Sequence, residues 1–192
     1  EIFEAALNAL CRMNYSYMLS EVEIMLTAGS PEEQELAVKL LPLFTEKRLV
    51  NILVEFLKQN VASESSITAG IVSILAGQDI KSNINAVEVF KEIIEKNPDP
   101  AIKQTAITGI GHCAVTEDIE YLNSLFYKFQ EQKLKESIVK AIASIMAYRS
   151  DYNKQSLAKM VQEYLKDPGI KVRIFSCMIL IRLGNKDAFR SI

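Results

Sequence analysis

The chain has 192 residues, of which 49% are hydrophobic, and its 22 basic residues nearly balance its 24 acidic ones. That composition fits a globular class and lacks the basic excess by which nucleic-acid binders advertise themselves. Seven glycines and five prolines leave little room for long loops, and no apolar run reaches the about 18 residues needed to span a membrane. Charge drifts along the chain: residues 1–36 carry a net −6 and residues 149–192 a net +5. In an elongated protein this is a dipole, suited to ordinary solvation, to a polarised surface or to end-to-end stacking. Three cysteines, Cys11, Cys113 and Cys177, sit in apolar runs without a CxxC. They read as reduced core thiols, with a cytoplasmic setting expected. There is no signal peptide pattern, and a start at Glu1 and an end in a new helical pattern suggest a piece of a longer protein.

In chain order, "EIFEAALNAL" opens with an apolar helical stripe, and Val22, Met25 and Leu26 mark the next helix. Ser30-Pro31 then places a cap before a proline at the first helical turn, where the missing N–H costs nothing. Pro42, inside "KLLPLF", is expected to kink or shorten that helix. Thr45 precedes an acidic turn and the stripe Leu49, Ile52, Leu53, Phe56, Leu57. "ESSITAGIVSIL" follows, then Val87, Phe90, Ile93 and Ile94, then Asp99-Pro100 and "DPAIKQTAITGI". Thr116 leads into Ile119, Leu122, Leu125, Phe126 and Phe129. "EQKLKESIVKAI" comes next, then Leu157, Met160, Val161, Tyr164 and Leu165, and finally Asp167-Pro168 with "DPGIKVRIFSCM".

These windows repeat. With reference positions at Ala6, Ala37, Ile71, Ala106, Ile138 and Ile174, the residue one further on is always apolar, as is the residue four further on. The residue two further on is always polar: Asn8, Lys39, Ser73, Thr108, Lys140, Ser176. One buried and one solvated stripe on the same helix explain this pattern. About eleven helices are expected, in five to six antiparallel pairs of about 35 residues. A single pair cannot bury its stripe, so the whole chain, 1–192, is expected to stack into one all-α superhelix, an armadillo-like α-solenoid.

The windows resemble the HEAT-repeat family, whose second helix reads roughly Asp-Pro-x-x-Val-Arg-x-x-Ala-x-x-x-Leu-Gly. Asp99, Pro100, Ile102, Lys103, Ala106, Ile110 and Gly111 follow that order, Asp167, Pro168, Ile170, Lys171 and Ile174 repeat it, and Leu134, Lys135 and Ile138 do so more faintly. Lysine stands where the family has arginine, without the planar fork that suits a carboxylate ladder. The resemblance implies that the second helices line a concave face. The polar column would run along it, with Glu35, Gln104 and Glu136 one turn earlier. It also implies a non-enzymatic scaffold or adaptor that binds a protein partner there. Members acting as DNA glycosylases or bilin lyases supply an enzymatic alternative. A glycosylase, however, needs a basic, aromatic groove, and the column offers only Lys39 and Lys140 as bases, with no tryptophan in the chain. A third alternative is weak nucleic-acid or membrane-surface association through the basic C-terminal end.

The register also reads "ITGIGHCA". Gly109 and Gly111 fall mid-helix, so they are expected to let helices approach and not to cradle phosphate before a helix start. Cys113 belongs to the core column. His112 shares the polar stripe with Thr108 and is a candidate contact for a partner. No cofactor or metal ligand set is expected, since no His, Cys or carboxylate cluster has ligand spacing.

Overall fold

A computed structural model describes residues 9, 14–44, 47–78, 84–113, 115–185 and 188, with the Lys47 side chain left aside. The opening window around Ala6 and Asn8, Cys11 and Thr45 lie outside the described residues. Among the described residues there are ten α-helices and no strand. They are α1 (Tyr15–Ala28), α2 (Pro31–Leu40), α3 (Lys47–Gln59), α4 (Ser66–Gly77), α5 (Ile84–Lys96), α6 (Pro100–Cys113), α7 (Asp118–Lys128), α8 (Gln132–Tyr148), α9 (Lys154–Tyr164) and α10 (Ile170–Arg182).

Local chemistry sets four of the starts. Ser30 makes a capping box on α2: its hydroxyl accepts from Glu33 N–H, and its own N–H donates to Glu33 Oε2 at 2.7 Å. Ser65 caps α4 through Thr68 N–H at 3.1 Å, and Asn153 caps α9 through Gln155 and Ser156 N–H. Asp99 Oδ1 accepts from Ala101 N–H at 2.7 Å, with Pro100 as the first residue of α6. Pro42 has the expected effect. It cannot donate to the preceding turn, so α2 ends at Leu40 and the chain continues as a short 3-10 turn, Leu41–Leu43.

Helices pack in an order that follows the chain. Each odd helix packs on the even helix after it, and the even helices α2, α4, α6, α8 and α10 also lie side by side in sequence. Helices α1, α3 and α5 form a matching row, and further along the odd helices meet through long side chains. The Phe126 and Tyr164 rings stack at 3.9 Å between centroids, and Tyr164 O–H donates to Asn123 Oδ1 at 2.7 Å. A continuous apolar core runs between the two rows, from Leu19 to Leu180. This two-row arrangement is compatible with an α-helical solenoid.

The even row is close-packed because it lacks side chains at the crossings. A Cβ on Gly111 of α6 would stand 2.8 Å from Ala141 Cα of α8. One on Gly109 would meet the Phe90 ring at 2.5 Å and Ala76 Cβ at 3.1 Å, and one on Gly70 of α4 would meet Val38 Cγ1 of α2 at 2.7 Å. The sequence-based reading of Gly109 and Gly111 as close-approach positions agrees with this geometry.

Two buried polar groups tie successive turns together. Asn97 is fully buried; its Nδ2 donates to Val61 O and Ser63 O, both at 2.9 Å, and its Oδ1 accepts from Asp99 N–H at 3.0 Å. Asp167 is buried beside α8, where Lys135 Nζ approaches its Oδ2 at 3.0 Å. Burial on its own raises the Asp167 pKa, but the Gly169 N–H, the Lys135 ammonium and Gln132 outweigh it and hold the carboxyl below its usual value. A depressed folded-state pKa means stability present above the unfolded value of about 3.9 and lost as pH falls through the folded one. We therefore expect Asp167→Asn to cost about 1.5–3 kcal/mol at pH 7. Urea melts should show that difference shrinking below the carboxylate range, where the native residue is also neutral.

The same aspartate corrects the reading of the last helix. Asp167-Pro168 does not start α10 as Asp99-Pro100 starts α6. The Asp167 carboxylate accepts from Gly169 N–H as Asp99 does from Ala101 N–H, but it also meets Lys135, and its carbonyl accepts from the Arg173 guanidinium instead of from a helical N–H, so residues 167–169 form a turn and Gly169 is the N-cap. The register of α10 thus slips by two. Ile174, expected in the core, is 39% exposed, and Ser176 takes the fully buried reference position. Ile181 likewise lies at the surface.

Candidate functional site

On α2, α4, α6 and α8 the reference residues Ala37, Ile71, Ala106 and Ile138 have no exposed surface. Two positions on, Lys39, Ser73, Thr108 and Lys140 are all exposed. Because the four helices lie side by side, these residues form a column across the open face of the even row. One turn earlier, Glu35 is exposed, while Gln104 and Glu136 are half-buried. Gln104 also borders a groove of about 440 Å³ between the N-termini of α6 and α8, whose other wall includes Glu131 and Lys133.

Ser176 does not belong to this face. It is fully buried and its hydroxyl donates to Val172 O at 2.8 Å, so no partner can reach it. The two-residue slip at Asp167 is the cause, and Met178, 59% exposed, occupies the column in its place.

His112 sits at the edge of the face with a structural task. Its Nδ1 lies 2.9 Å from Ala76 O, in the last turn of α4, and since a carbonyl only accepts, Nδ1 carries the proton. The side chain of one even helix thus satisfies an otherwise open carbonyl at the C-terminus of its neighbour. It remains exposed and continues the stripe of Thr108, whose hydroxyl donates back to Gln104 O at 3.1 Å.

The face is graded in charge. Glu32, Glu33 and Glu35 outnumber Lys39 among the exposed charges of α2, and Ala69, Ser73, Gly77, Ala101 and Thr108 make a small, nearly neutral middle. At the far end Lys133, Lys140, Lys171 and Arg182 are exposed, with Glu131 and Glu136 as the acids among them. Lys140 Nζ rests 4.7 Å from the centroid of the Phe175 ring, which fixes its position on α8. Lys171 and Arg182 belong to the basic C-terminal end read from the sequence, whereas the exposed apolar residues of α10 are not legible column by column. The available signal was that "IKVRIFSCMILIR" holds more apolar residues than one buried stripe can use.

No group of three His, Cys, Asp or Glu residues suited to a metal occurs among the described residues. Cys113 is buried, its thiol donating to Gly109 O at 3.0 Å, and burial, aided by the Asp118 charge, pushes its pKa to about 12. A thiolate is the nucleophile, so this thiol is inert at neutral pH. We expect iodoacetamide at pH 8 to leave Cys113 unmodified in the folded chain and to alkylate it in urea, read by peptide mass spectrometry. Equal modification in both states would contradict the burial. Among the described residues no helix is long and apolar enough to cross a membrane. Compared with protein-family models, curated proteins and solved structures, the chain gives no significant match.

Proposed function

We propose that the chain is a HEAT-like α-solenoid and that it acts, without enzymatic chemistry of its own, as a scaffold whose even-helix face docks a protein partner. The observation that carries this reading is the register itself. In four successive even helices the reference residue is fully buried, and the residue two further on is exposed. Stacking repeats generate extended faces of this kind. Glycines draw α4, α6 and α8 together, whereas α7 and α9 stand apart across aromatic side chains. A row that is narrower on one side curves toward that side, which would make the even face concave.

The chemistry of the face favours protein over nucleic acid. Its charge runs from acidic to basic along the array, and nucleic acid asks for a continuous cationic track. A mixed polar surface with shallow neutral positions is the usual composition of a transient protein interface. The experiment is affinity capture from the source cell's lysate with the chain and with Lys39→Glu combined with Lys140→Glu. Both side chains are exposed, so circular dichroism should show an unchanged fold. A partner held by the chain and lost by the variant is the expected result. A partner held equally by both would move the site to the odd helices or the ends.

A further inference from the structure

The last even helix carries an apolar strip where its neighbours carry polar groups. Ile170, Ile174, Met178 and Ile181 recur at helical spacing on α10 and are 51%, 39%, 59% and 42% exposed. Ending a stack does not account for all of this. The counterparts of Met178 are Ser73, Thr108 and Lys140, and they stay exposed although α4, α6 and α8 each have an even helix on both sides. A following helix would cover Ile181 and half-bury Ile174, as the counterparts Gly111, Gln104 and Glu136 are covered, but would leave the Met178 column open. Apolar side chains on an open column are costly in water unless a partner meets them.

The rim of the strip specifies the partner's charge. Lys171 and Arg182 flank it on α10, and Lys133 and Lys140 flank it on α8. Of the two acids among them, Glu131 lies beside Lys133 and Glu136 stands 3.7 Å from Lys171, while Lys133 and Arg182 make no ion pair among the described residues. Four cations face two carboxylates, Glu131 and Glu136, which leaves the rim net positive. A second copy docked strip to strip would set Lys171 and Arg182 against their own equivalents, a like-charge pairing. A straight strip on one helix suits a second helix with anchors at i, i+4 and i+7.

We propose, building on the reading of this face as a docking surface, that α10 and the adjoining edge of α8 bind an acidic amphipathic helix of a partner protein. Its apolar side chains lie on Ile174 and Met178, and its carboxylates meet Lys140, Lys171 and Arg182.

The test is selection of random displayed peptides of about 16 residues, four helical turns or so, against the chain. Affinities of the enriched peptides are then read by fluorescence anisotropy. The expected winners are rich in Asp and Glu with apolar residues at helical spacing. Their affinity falls at least about tenfold with Met178→Asp and with Lys171→Glu plus Arg182→Glu, and it weakens with salt. Lysine-for-glutamate versions of the peptides regain binding to the charge-reversed chain. Thermal melts check that the variants fold, as their altered side chains are exposed. Winners that fail on Thr108→Arg but not on Met178→Asp would preserve the docking face and overturn its placement on α10. Winners indifferent to both would overturn the docking face itself. Enrichment without acidic bias would overturn the proposal. So would self-association abolished by Met178→Asp, or phosphatidylserine vesicles that bind the chain and that the peptides cannot displace.

Discussion

Gly111→Ala should lower the urea midpoint of the chain, although alanine is the better helix former. In an exposed helix interior that exchange gains about 1 kcal/mol. At Gly111 the added Cβ would lie 2.8 Å from Ala141 Cα, 3.0 Å from its Cβ and 3.3 Å from its carbonyl oxygen. Two of those atoms are backbone, so no side-chain rotation relieves the clash and α6 must move away from α8. Overpacking of this kind costs about 1–3 kcal/mol beyond any gain in propensity. The internal control is Gly77→Ala, where nothing lies within 4 Å of the new Cβ. That variant should be neutral or stabilised. A Gly111→Ala chain as stable as its parent would mean that the even row is looser than described. The lateral register of the proposed docking face would then fail with it.

Asn97→Ala should be the most damaging of the polar substitutions. One fully buried side chain satisfies Val61 O, Ser63 O and Asp99 N–H at once. Removing a buried hydrogen-bonding group costs about 1–3 kcal/mol for each partner left unpaired, so a total of about 3 kcal/mol or more is expected from urea unfolding. Asn97→Asp discriminates further. A carboxylate facing two carbonyls is repelled and desolvated, so its folded-state pKa rises above the unfolded value. That variant should be least stable at neutral pH and recover as pH falls and the acid protonates. Equal damage at pH 5 and pH 8 would show that geometry, and not charge, sets the cost.

Much of the fold was legible because its determinants are local. Ser30-Pro31 and Asp99-Pro100 announce helix starts by hydrogen bonds within three residues, and Pro42 ends α2 by the donor it lacks. The apolar period then assigns Ala37, Ile71, Ala106 and Ile138 to the core. Asp167-Pro168 shows where local reasoning stops. Its dipeptide matches Asp99-Pro100, but Lys135, 32 residues earlier in the chain, draws the carboxylate inward, and glycine at 169 leaves room for the Gln132 side chain, into which a Cβ would run. That distant contact moved Ser176 into the core and Met178 to the surface, and no window around residue 170 contains it. His112 is similar. Its place beside Thr108 was legible, whereas its bond to Ala76 O spans 36 residues and depends on how closely α4 and α6 pack.

The central claim, that the even-helix face is where a partner docks, is tested most directly by lysine footprinting. The chain is acylated with an N-hydroxysuccinimide ester, alone and bound to the partner it captures, and each modified lysine is quantified by mass spectrometry. Lys39, Lys133, Lys140 and Lys171 stand exposed on the even helices, and Lys58, Lys96, Lys128 and Lys159 on the odd ones. The account predicts protection of the first four on binding and unchanged modification of the second four. Protection confined to Lys58, Lys96, Lys128 and Lys159 would contradict it and place the partner on the opposite side of the array.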